Sequence, residues 1–305
     1  MKAFITGIAG FTGKHLRELL ESEGIQVTGI DLKKVKGGYQ GDLSNKSKLE
    51  KILNKEKPDY IFHLASPILR SDKLIDKTLS KNLKVDLFGT VNLFKAISNL
   101  RKKPRVLIAG TAAVYKENQG KPFKETDQVE PRTAYGLSKL TQEMVGLQLA
   151  KSYGIPLIVS RSILLIGAYQ AEGFVVNDLI KKVVEIEMEK TRAILAVGNL
   201  NIKRDFTDVR DGVKAYLKLV QKGKPGEIYN VCNNKAVAIK EVVRWLEKNS
   251  KAKFRVKLKE NWRKNDLKII QGDNRKLVKL GWKPEYNLED SFKTILDYWR
   301  KVIKA

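Results

Sequence analysis

The sequence predicts an α/β fold, with a doubly wound parallel sheet of the Rossmann type and a smaller C-terminal domain. Three observations predict it. In the first half of the chain, short apolar segments alternate with amphipathic ones, which indicates parallel strands joined by helical crossovers. A glycine-rich loop between Gly7 and Gly13 follows the first apolar segment. After Ile163 the alternation becomes irregular, which indicates a different architecture.

The elements of the first half follow from this alternation. The predicted strands are Lys2–Thr6, Ile25–Asp31, Tyr60–Ala65, Val106–Gly110 and Leu157–Arg161. The predicted helices are Gly13–Glu23, Lys46–Glu56, Ser80–Asn99 and Tyr135–Tyr153. Ligands of such sheets bind beyond the carboxyl ends of the strands. Those ends carry Gly7, Ala65, Thr111 and Arg161.

The second half predicts fewer regular elements. They are helices over Phe174–Glu189 and Val209–Leu219, and strands near Ala193–Val197 and at Ile228–Val231. A final helix has one apolar face that indicates core packing, formed by Leu288, Phe292, Ile295, Leu296, Trp299 and Ile303. We expect residues 1–165 to form the first domain, with 207–232 returning to it, and residues 166–206 and 233–305 to form the second.

Composition narrows the class of protein. The single cysteine, Cys232, excludes an intrachain disulfide, and the two histidines, His15 and His63, are too few for a zinc cluster. We expect Cys232 and His63 to be structural core residues. No apolar run approaches the ~20 residues that cross a bilayer, and the short run Ala3–Ile5 is read as a strand. We therefore expect a cytoplasmic protein that needs no metal ion.

The formal net charge of the chain is +25. Such an excess is compatible with nucleic-acid binding or with attraction of anionic ligands. The basic residues are spread along the chain and form neither a tail nor a patch interleaved with aromatic residues. We therefore expect a solvated basic surface that attracts anionic ligands, and no nucleic-acid partner.

The glycine loop predicts a dinucleotide site. Gly7 allows the tight turn, Gly10 lets the backbone approach a pyrophosphate, and Gly13 permits close packing of helix on sheet. The free N–H groups at the helix start would face the phosphates. The residues expected to contact the cofactor are Gly7, Gly10, Phe11, Thr12, Gly13, Asp31, Asp42, Leu43, Leu64, Ala65, Ser66, Tyr135 and Lys139.

Two carboxylates bear on which cofactor is bound. Asp31 ends the second predicted strand, where it can accept hydrogen bonds from an adenosine ribose, which favours NAD. Lys33 and Lys34 lie close enough to tolerate the extra phosphate of NADP. Asp42 has two interpretations that remain open, a contact to the adenine amine or a cap of the following helix.

Tyr135 and Lys139 predict the chemistry. They lie one helical turn apart and therefore on one face of the helix. An ammonium beside a phenol stabilises the phenolate and lowers the pKa of the tyrosine. Tyr135 could then exchange a proton with a substrate oxygen that Thr111 also contacts, while hydride moves at the carbon. The pattern favours an oxidoreductase or an epimerase.

These residues resemble the extended short-chain dehydrogenase/reductase superfamily, which acts mainly on nucleotide sugars. The matching segments are Thr6–Gly13, His63–Ala65, Gly89–Thr90, Thr111–Tyr115, Tyr135–Lys139 and Gly281–Pro284. The segments that look like its GDP-mannose branch are Phe174–Val175, Ile186–Lys190, Val197–Leu200 and Arg204–Asp211. Within that branch, Tyr229–Cys232 and the tail from Trp282 look most like the GDP-4-keto-6-deoxy-D-mannose reductases.

The resemblance implies roles for individual residues. The catalytic triad would be formed by Thr111, Tyr135 and Lys139. The nucleotide and its diphosphate would be held in the second, substrate-binding domain by Asn199, Arg204 and Arg263. The family is commonly dimeric, which implies a homodimer formed through the helices near Ser80–Asn99 and Tyr135–Tyr153.

The chain departs from the family pattern at four places. Ala112 and Ala113 stand where 4,6-dehydratases carry acidic residues, which disfavours a dehydratase. Asp86 stands where an Asn is usual. Leu164 and Ala168 replace the usual Asn and Pro after the fifth strand, which removes a polar contact near the sugar or diphosphate. The loop over residues 110–115 also looks like that of UDP-hexose 4-epimerases.

The sequence therefore predicts NAD(P)H-dependent reduction of a nucleotide-linked 4-keto-6-deoxyhexose, with GDP-4-keto-6-deoxy-D-mannose to GDP-D-rhamnose as the leading reaction. A nucleotide-hexose 4-epimerase with the same triad is the first alternative. A non-catalytic dinucleotide-sensing or nucleic-acid-binding protein is the second. Retention of Thr111, Tyr135 and Lys139 argues against that second alternative.

Overall fold

A computed structural model of the chain describes residues 1–67, 75–259 and 267–304. The strands of these residues are β1 (Lys2–Thr6), β2 (Gln26–Asp31), β3 (Tyr39–Gln40), β4 (Tyr60–His63), β5 (Arg105–Thr111), β6 (Leu157–Ser162), β7 (Leu164–Ile166), β8 (Ile194–Val197), β9 (Lys203–Asp208), β10 (Ile228–Val231), β11 (Ala236–Ala238), β12 (Arg255–Leu258) and β13 (Ile269–Ile270). The helices are α1 (Phe11–Ser22), α2 (Lys46–Glu56), α3 (Ile75–Leu83), α4 (Thr90–Ser98), α5 (Ala134–Tyr153), α6 (Val175–Glu187), α7 (Val209–Lys222), α8 (Ile239–Asn249), α9 (Arg275–Val278) and α10 (Leu288–Lys304).

The main sheet has seven strands in the order β10-β6-β5-β4-β1-β2-β3. Every neighbouring pair in it is parallel. Parallel neighbours need crossover connections, and the helices of the first half supply them. The predicted doubly wound parallel sheet is therefore confirmed. The carboxyl ends of β1, β4, β5 and β6 lie at one edge, where the sequence places the candidate site.

Apolar side chains on both faces of the main sheet pack against helices. One face carries Ile5, Phe62 and Ile158 and is covered by α1 and α7. The other face carries Phe4 and Ile61 and is covered by α2, α4 and α5. Successive residues of one strand, such as Phe4 and Ile5, thus point into opposite layers, as the pleat of a strand requires.

The rest of the described chain builds two smaller sheets. One contains β7, β9, β11 and β13, with β11 antiparallel to β9, and the other is the parallel pair of β8 and β12. Helices α6, α8 and α10 pack around them, in a core that includes Phe292, Ile295 and Trp299. β10 instead joins the main sheet beside β6, and α7 packs on α1. No helix in the described part of the chain has both the length and the apolar character needed to span a bilayer.

The predicted single helix over Ser80–Asn99 is wrong in its details. Helical structure begins at Ile75, and a π-helical segment, Lys84–Gly89, joins α3 to α4. A π-helical turn holds an extra residue because its hydrogen bonds span five positions, and apolar periodicity does not reveal that change. The strand predicted over Tyr60–Ala65 ends at His63, which leaves the next residues in a loop at the ligand edge.

Candidate active site

The glycine loop connects β1 to α1 at the ligand edge of the sheet. Gly7 has a φ of +77°, and a Cβ there would lie 2.9 Å from the Cα of Ala65. A Cβ at Gly13 would lie 2.3 Å from the carbonyl oxygen of Gly7, so only glycine lets α1 pack this closely. Helix geometry leaves the first amide groups after Gly10 without intrahelical acceptors, namely those of Phe11, Thr12 and Gly13. The loop therefore fits a pyrophosphate.

Asp31 ends β2 beside this loop. Its Oδ2 accepts a hydrogen bond from the Ala9 amide at 2.9 Å, and its Oδ1 accepts from the Lys33 amide at 3.0 Å. Each carboxylate oxygen has two lone pairs, so Asp31 retains acceptor capacity on both oxygens. It braces the glycine loop and can still accept hydrogen bonds from ribose hydroxyls.

Asp42 and Leu43 lie between β3 and α2. Asp42 Oδ1 accepts from the Ser44 amide at 2.7 Å. The cap of α2 is Asn45, whose side chain accepts from the Lys48 amide at 3.0 Å. The capping alternative for Asp42 is therefore wrong. The side chain of Leu43 is buried in the core between the sheet and α2, so only its backbone is available to a ligand.

The loop after β4 carries the remaining residues predicted at the cofactor. Leu64 is partly buried against the core under α1, and Ala65 lies against Gly7. The Oγ of Ser66 is buried and, among the described residues, has no hydrogen-bonding partner. Buried polar groups without partners are rare in folded proteins. Ser66 therefore marks a position where a ligand atom would complete the hydrogen bonding.

The start of α5 packs closely on the segment that follows β5. A Cβ at Gly136 would lie 2.4 Å from the carbonyl oxygen of Ala113, so this approach requires glycine. Thr111 ends β5, is buried, and accepts a hydrogen bond from the Ala113 amide through its Oγ1 at 3.2 Å. Tyr135 immediately precedes Gly136. The close approach therefore joins the start of α5, which carries Tyr135, to the segment that follows Thr111.

Lys139 lies one helical turn after Tyr135 and is buried. Its Nζ donates a hydrogen bond to Gln142 Oε1. Burial lowers the pKa of Lys139, and the carboxylates of Asp86 and Glu143 oppose that shift. The amine is thus held inside the protein, on the helical face that it shares with the tyrosine.

His63 ends β4 and is fully buried among hydrogen-bonding side chains. Its Nδ1 lies 2.7 Å from Thr6 Oγ1, and its Nε2 lies 2.8 Å from Thr90 Oγ1. The Thr90 hydroxyl donates to the carbonyl of Asp86, so its oxygen is left to accept from His63 Nε2–H. Neutral His63 then accepts from Thr6 at Nδ1. Gln142 Nε2 donates to the same Thr90 oxygen at 3.1 Å, which connects the histidine to the amide that holds the buried lysine.

The buried histidine makes the free energy of unfolding depend on pH. Burial, and then the charge of Lys139, lower the pKa of His63 to about 3, against about 6.5 in an unfolded chain. Between these values only the unfolded chain binds the proton, so stability falls as the pH drops through that window, by about 4–5 kcal/mol in full. We expect urea unfolding between about pH 7 and pH 5 to show this fall in the wild type and a flatter profile in His63→Gln. Parallel profiles would contradict the assignment.

Arg161, near the end of β6, forms a buried ion pair with Glu143 of α5. Its Nε donates to Glu143 Oε2 at 3.0 Å, and its Nη2 donates to the other carboxylate oxygen. Both side chains are 4% exposed. The guanidinium carbon also lies 4.8 Å from the centre of the Tyr115 ring. Although Arg161 falls at a strand end, its side chain thus ties α5, the helix of Tyr135, to the sheet.

A cavity of about 1070 Å³ opens between the smaller sheets and helices α6 and α8. Asn199, Arg204 and Leu164 line it. Arg204 is buried, and its Nη1 donates to the carbonyls of Lys203 and Leu267 at 2.9 and 2.8 Å. The structure therefore brings two of the three predicted nucleotide contacts together. Arg263, the third, lies outside the described residues.

Two expectations about reactive groups can be compared with the structure. Cys232 is a buried free thiol, and burial raises its pKa well above the ordinary value. Both properties agree with the expected structural role in the core. Within residues 1–67, 75–259 and 267–304, no group of three or more His, Cys, Asp or Glu side chains is arranged to hold a metal ion.

Sequence reasoning missed two residues that hold the candidate site together. Gln142 and Glu143 follow Lys139 at spacings of three and four, which places both beside it on α5. That spacing is the feature of the sequence that could have identified Gln142 and Glu143. A Gln or Glu on a helix is usually solvated, so only the burial of both side chains distinguishes them from surface residues.

Comparison with known proteins gives the family. The family model described as GDP-mannose 4,6 dehydratase matches residues 4–295. The chain is 29% identical to GDP-6-deoxy-D-mannose reductase of Pseudomonas aeruginosa, over 99% of this chain and 98% of that protein. It is also 29% identical to GDP-6-deoxy-D-talose 4-dehydrogenase of Aggregatibacter actinomycetemcomitans, over 91% of this chain and 90% of that protein.

A solved structure extends the comparison to three dimensions. RMD from Pseudomonas aeruginosa, complexed with NADPH, matches with a TM-score of 0.87 at 27% identity, over 98% of this chain and 99% of that one. The match covers both the main sheet and the smaller sheets, and the family model spans nearly the whole sequence. The chain belongs to the GDP-mannose 4,6 dehydratase family of the extended short-chain dehydrogenases/reductases.

Proposed function

We propose that this chain is an NAD(P)H-dependent reductase of a nucleotide-linked 4-keto-6-deoxyhexose, converting GDP-4-keto-6-deoxy-D-mannose to GDP-D-rhamnose. The observation that carries the proposal is the close approach of Gly136, which follows Tyr135, to Ala113 in the segment after Thr111, where alanine occupies positions 112 and 113. A 4,6-dehydratase must transfer protons to remove water, and alanine side chains cannot do so. Reduction at a carbonyl needs only one proton donor.

The residues of the site have distinct proposed roles. When bound in this site, a reduced nicotinamide would supply the hydride that the carbonyl carbon at C4 of the sugar accepts. Tyr135 donates its phenolic proton to the oxygen of that carbonyl as the carbon–oxygen double bond becomes single. The ammonium of Lys139 stabilises the negative charge that develops on the phenol oxygen as its proton leaves, and Thr111 donates a hydrogen bond to the carbonyl oxygen of the sugar. The alcohol product leaves with one added hydride and one added proton.

The GDP group is supported by two observations. Both relatives described above are named for GDP-linked 6-deoxyhexoses. The cavity beside α8 carries the cationic side chains of Lys240 and Arg244 as well as Arg204, which suit an anionic diphosphate. We propose that Asn199, Arg204 and Arg263 hold the nucleotide and its diphosphate.

The proposal is tested by coenzyme oxidation. NADH and NADPH consumption would be followed with GDP-4-keto-6-deoxymannose generated in situ by a GDP-mannose 4,6-dehydratase. We expect stoichiometric consumption and a GDP-6-deoxyhexose product. A protein that retains NAD through purification, consumes no added coenzyme and interconverts two nucleotide hexoses would be the 4-epimerase instead. If the protein shows neither the reductase nor the epimerase activity with any GDP-hexose, the assignment of substrate is rejected.

Coenzyme choice gives a separate prediction. We propose NAD(H) as the preferred form, because the Asp31 carboxylate accepts from ribose hydroxyls and repels a 2′-phosphate. Asp31→Asn keeps an acceptor for the Ala9 amide but removes the charge. We expect the ratio of kcat/KM for NADH to that for NADPH to fall at least about tenfold, the scale of one charged hydrogen bond. The matched variant Asp42→Asn should leave this ratio unchanged, and an unchanged ratio in both variants would reject the role.

We also propose that the chain forms a homodimer through α5 and the π-helical segment. Large apolar side chains are exposed on these elements, with Phe88 58%, Leu137 43% and Met144 62% exposed. Exposed apolar groups on adjacent helices favour association with a second copy. Sedimentation should give a dimer for the wild type and a monomer for the double variant Phe88→Asp, Met144→Glu. A monomeric wild type would reject the proposal.

A further inference from the structure

A row of polar side chains is buried along α3, the π-helical segment and α4. Its members follow one another at a spacing of four, and their exposed fractions are 6% for Thr78 and 0% for Asn82, Asp86 and Thr90. Buried polar side chains are normally hydrogen-bonded. The hydrogen-bonding partners of each side chain in this polar row therefore indicate its role.

Two members of the polar row are held by α5. Asp86 Oδ2 accepts from Ser138 Oγ at 2.7 Å, and Thr90 Oγ1 accepts from Gln142 Nε2 at 3.1 Å. In both pairs the partner lies 52 residues further along the chain. The two helical stretches therefore run side by side in the same direction, and the same offset places Asn82 opposite the first turn of α5. The packing of α3 on α5 agrees with that placement.

Asn82 is the member of the polar row nearest to Tyr135, and its amide has no partner. Both Nδ2 and Oδ1 of Asn82 are buried without a hydrogen bond among the described residues, and so is Oδ1 of Asp86. Thr90 and Oδ2 of Asp86 are thus paired with α5, whereas one amide NH2 group and two acceptor oxygens of the row are left. Burying such groups without partners is unfavourable, so a ligand is the group that would pair with them.

We propose that Asn82 and the unpaired oxygen of Asp86 form a hexose subsite that binds a hydroxyl group of the substrate sugar beside its reacting carbon. A hydroxyl both donates and accepts, so it can accept from the Asn82 amide N–H and donate to one of the two unpaired oxygens. This subsite rests on the proposed function, since it needs a sugar in contact with Tyr135. It selects hexoses that keep that hydroxyl, because an analogue without it would leave the buried groups unpaired.

The test compares two ligands and two variants of the full chain, with coenzyme present. Isothermal titration with GDP and with GDP-mannose separates the nucleotide from the hexose contribution to binding. Asn82→Leu removes the amide at similar volume. We expect its affinity for GDP to equal that of the wild type and its affinity for GDP-mannose to fall at least about tenfold, as for one lost buried hydrogen bond.

The thermal midpoint without ligand is the second measurement. Because the Asn82 amide has no protein partner, we expect Asn82→Leu to melt at or above the wild-type temperature. The control is Asn177→Leu, since Asn177 is equally buried but donates to the Gln170 carbonyl and accepts from Trp299 Nε1. That variant should melt lower, because its partners lose their hydrogen bonds.

These measurements separate the subsite from the proposed function. A lowered midpoint in Asn82→Leu with unchanged affinity for GDP-mannose would overturn the subsite, because Asn82 would then be a structural residue. A wild type that binds neither GDP nor GDP-mannose would reject the proposed nucleotide instead. In that case the thermal midpoint of Asn82→Leu still tests the subsite. A midpoint lowered as in Asn177→Leu overturns the subsite, and an unchanged or raised midpoint supports it.

Discussion

Replacing Tyr135 by Phe is expected to lower kcat by about 10²–10⁴-fold, the usual contribution of a positioned general acid. The ring and its packing at the start of α5 stay, so only the proton donor is lost. Coenzyme affinity, followed by fluorescence titration with NADH, should change little. The measurement is steady-state coenzyme oxidation with the 4-keto sugar, together with that titration.

The matched control is Tyr153→Phe, at the other end of the same helix. It makes the same chemical change about 27 Å away along the helix axis, by the rise of 1.5 Å per residue. We expect its kcat to equal that of the wild type. Near-normal turnover in Tyr135→Phe would reject the assignment of the triad, whatever the behaviour of the control.

Replacing Glu143 by Ala is expected to lower the free energy of unfolding by about 3–5 kcal/mol, because it leaves the guanidinium of Arg161 buried without its counter-charge. Both side chains are 4% exposed, so water does not replace the lost carboxylate. Urea unfolding at neutral pH measures the change. Since the pair ties α5 to the sheet, turnover should fall as well.

Two further variants show that burial, and not the mere presence of an ion pair, causes this loss. Glu117 pairs with Arg132 at 3.0 Å on the surface, with both side chains more than half exposed. Glu117→Ala should therefore change the free energy of unfolding by less than about 1 kcal/mol. The double variant Glu143→Leu, Arg161→Met removes both buried charges and should lose less than Glu143→Ala alone. Equal losses in all three variants would contradict this account.

The main sheet could be predicted because its strands are apolar on both faces and its crossovers are amphipathic helices. The smaller sheets could not. β9 runs Lys203–Asp208 and buries charged side chains that no apolar pattern identifies. Asp205, for example, is 0% exposed, and the amides of Asn233 and Gly272, distant in sequence, donate hydrogen bonds to its buried carboxylate. Only the folded chain shows those partners.

The same reason limits what the sequence reveals about the candidate site. Glycine loops and the Tyr135–Lys139 spacing are local patterns, so they are visible before folding. His63, Thr90 and Gln142 meet only when β4, α4 and α5 pack together. Each looks ordinary in the sequence, because its role depends on burial and on partners that no local spacing encodes.

The π-helical segment Lys84–Gly89 sets the winding of the helix that faces Tyr135. In a regular α-helix, positions four apart are rotated by roughly 40°, so Thr78 and Thr90 would differ by roughly 120°. The wider turn of the π-helix winds less per residue, which counters that drift, and Asp86 and Thr90 both contact α5. With regular α-helical winding over the same residues, Asn82 and Thr90 would instead differ in direction by roughly 80°. The winding of this segment, and not only its side chains, therefore helps to hold the proposed subsite in place.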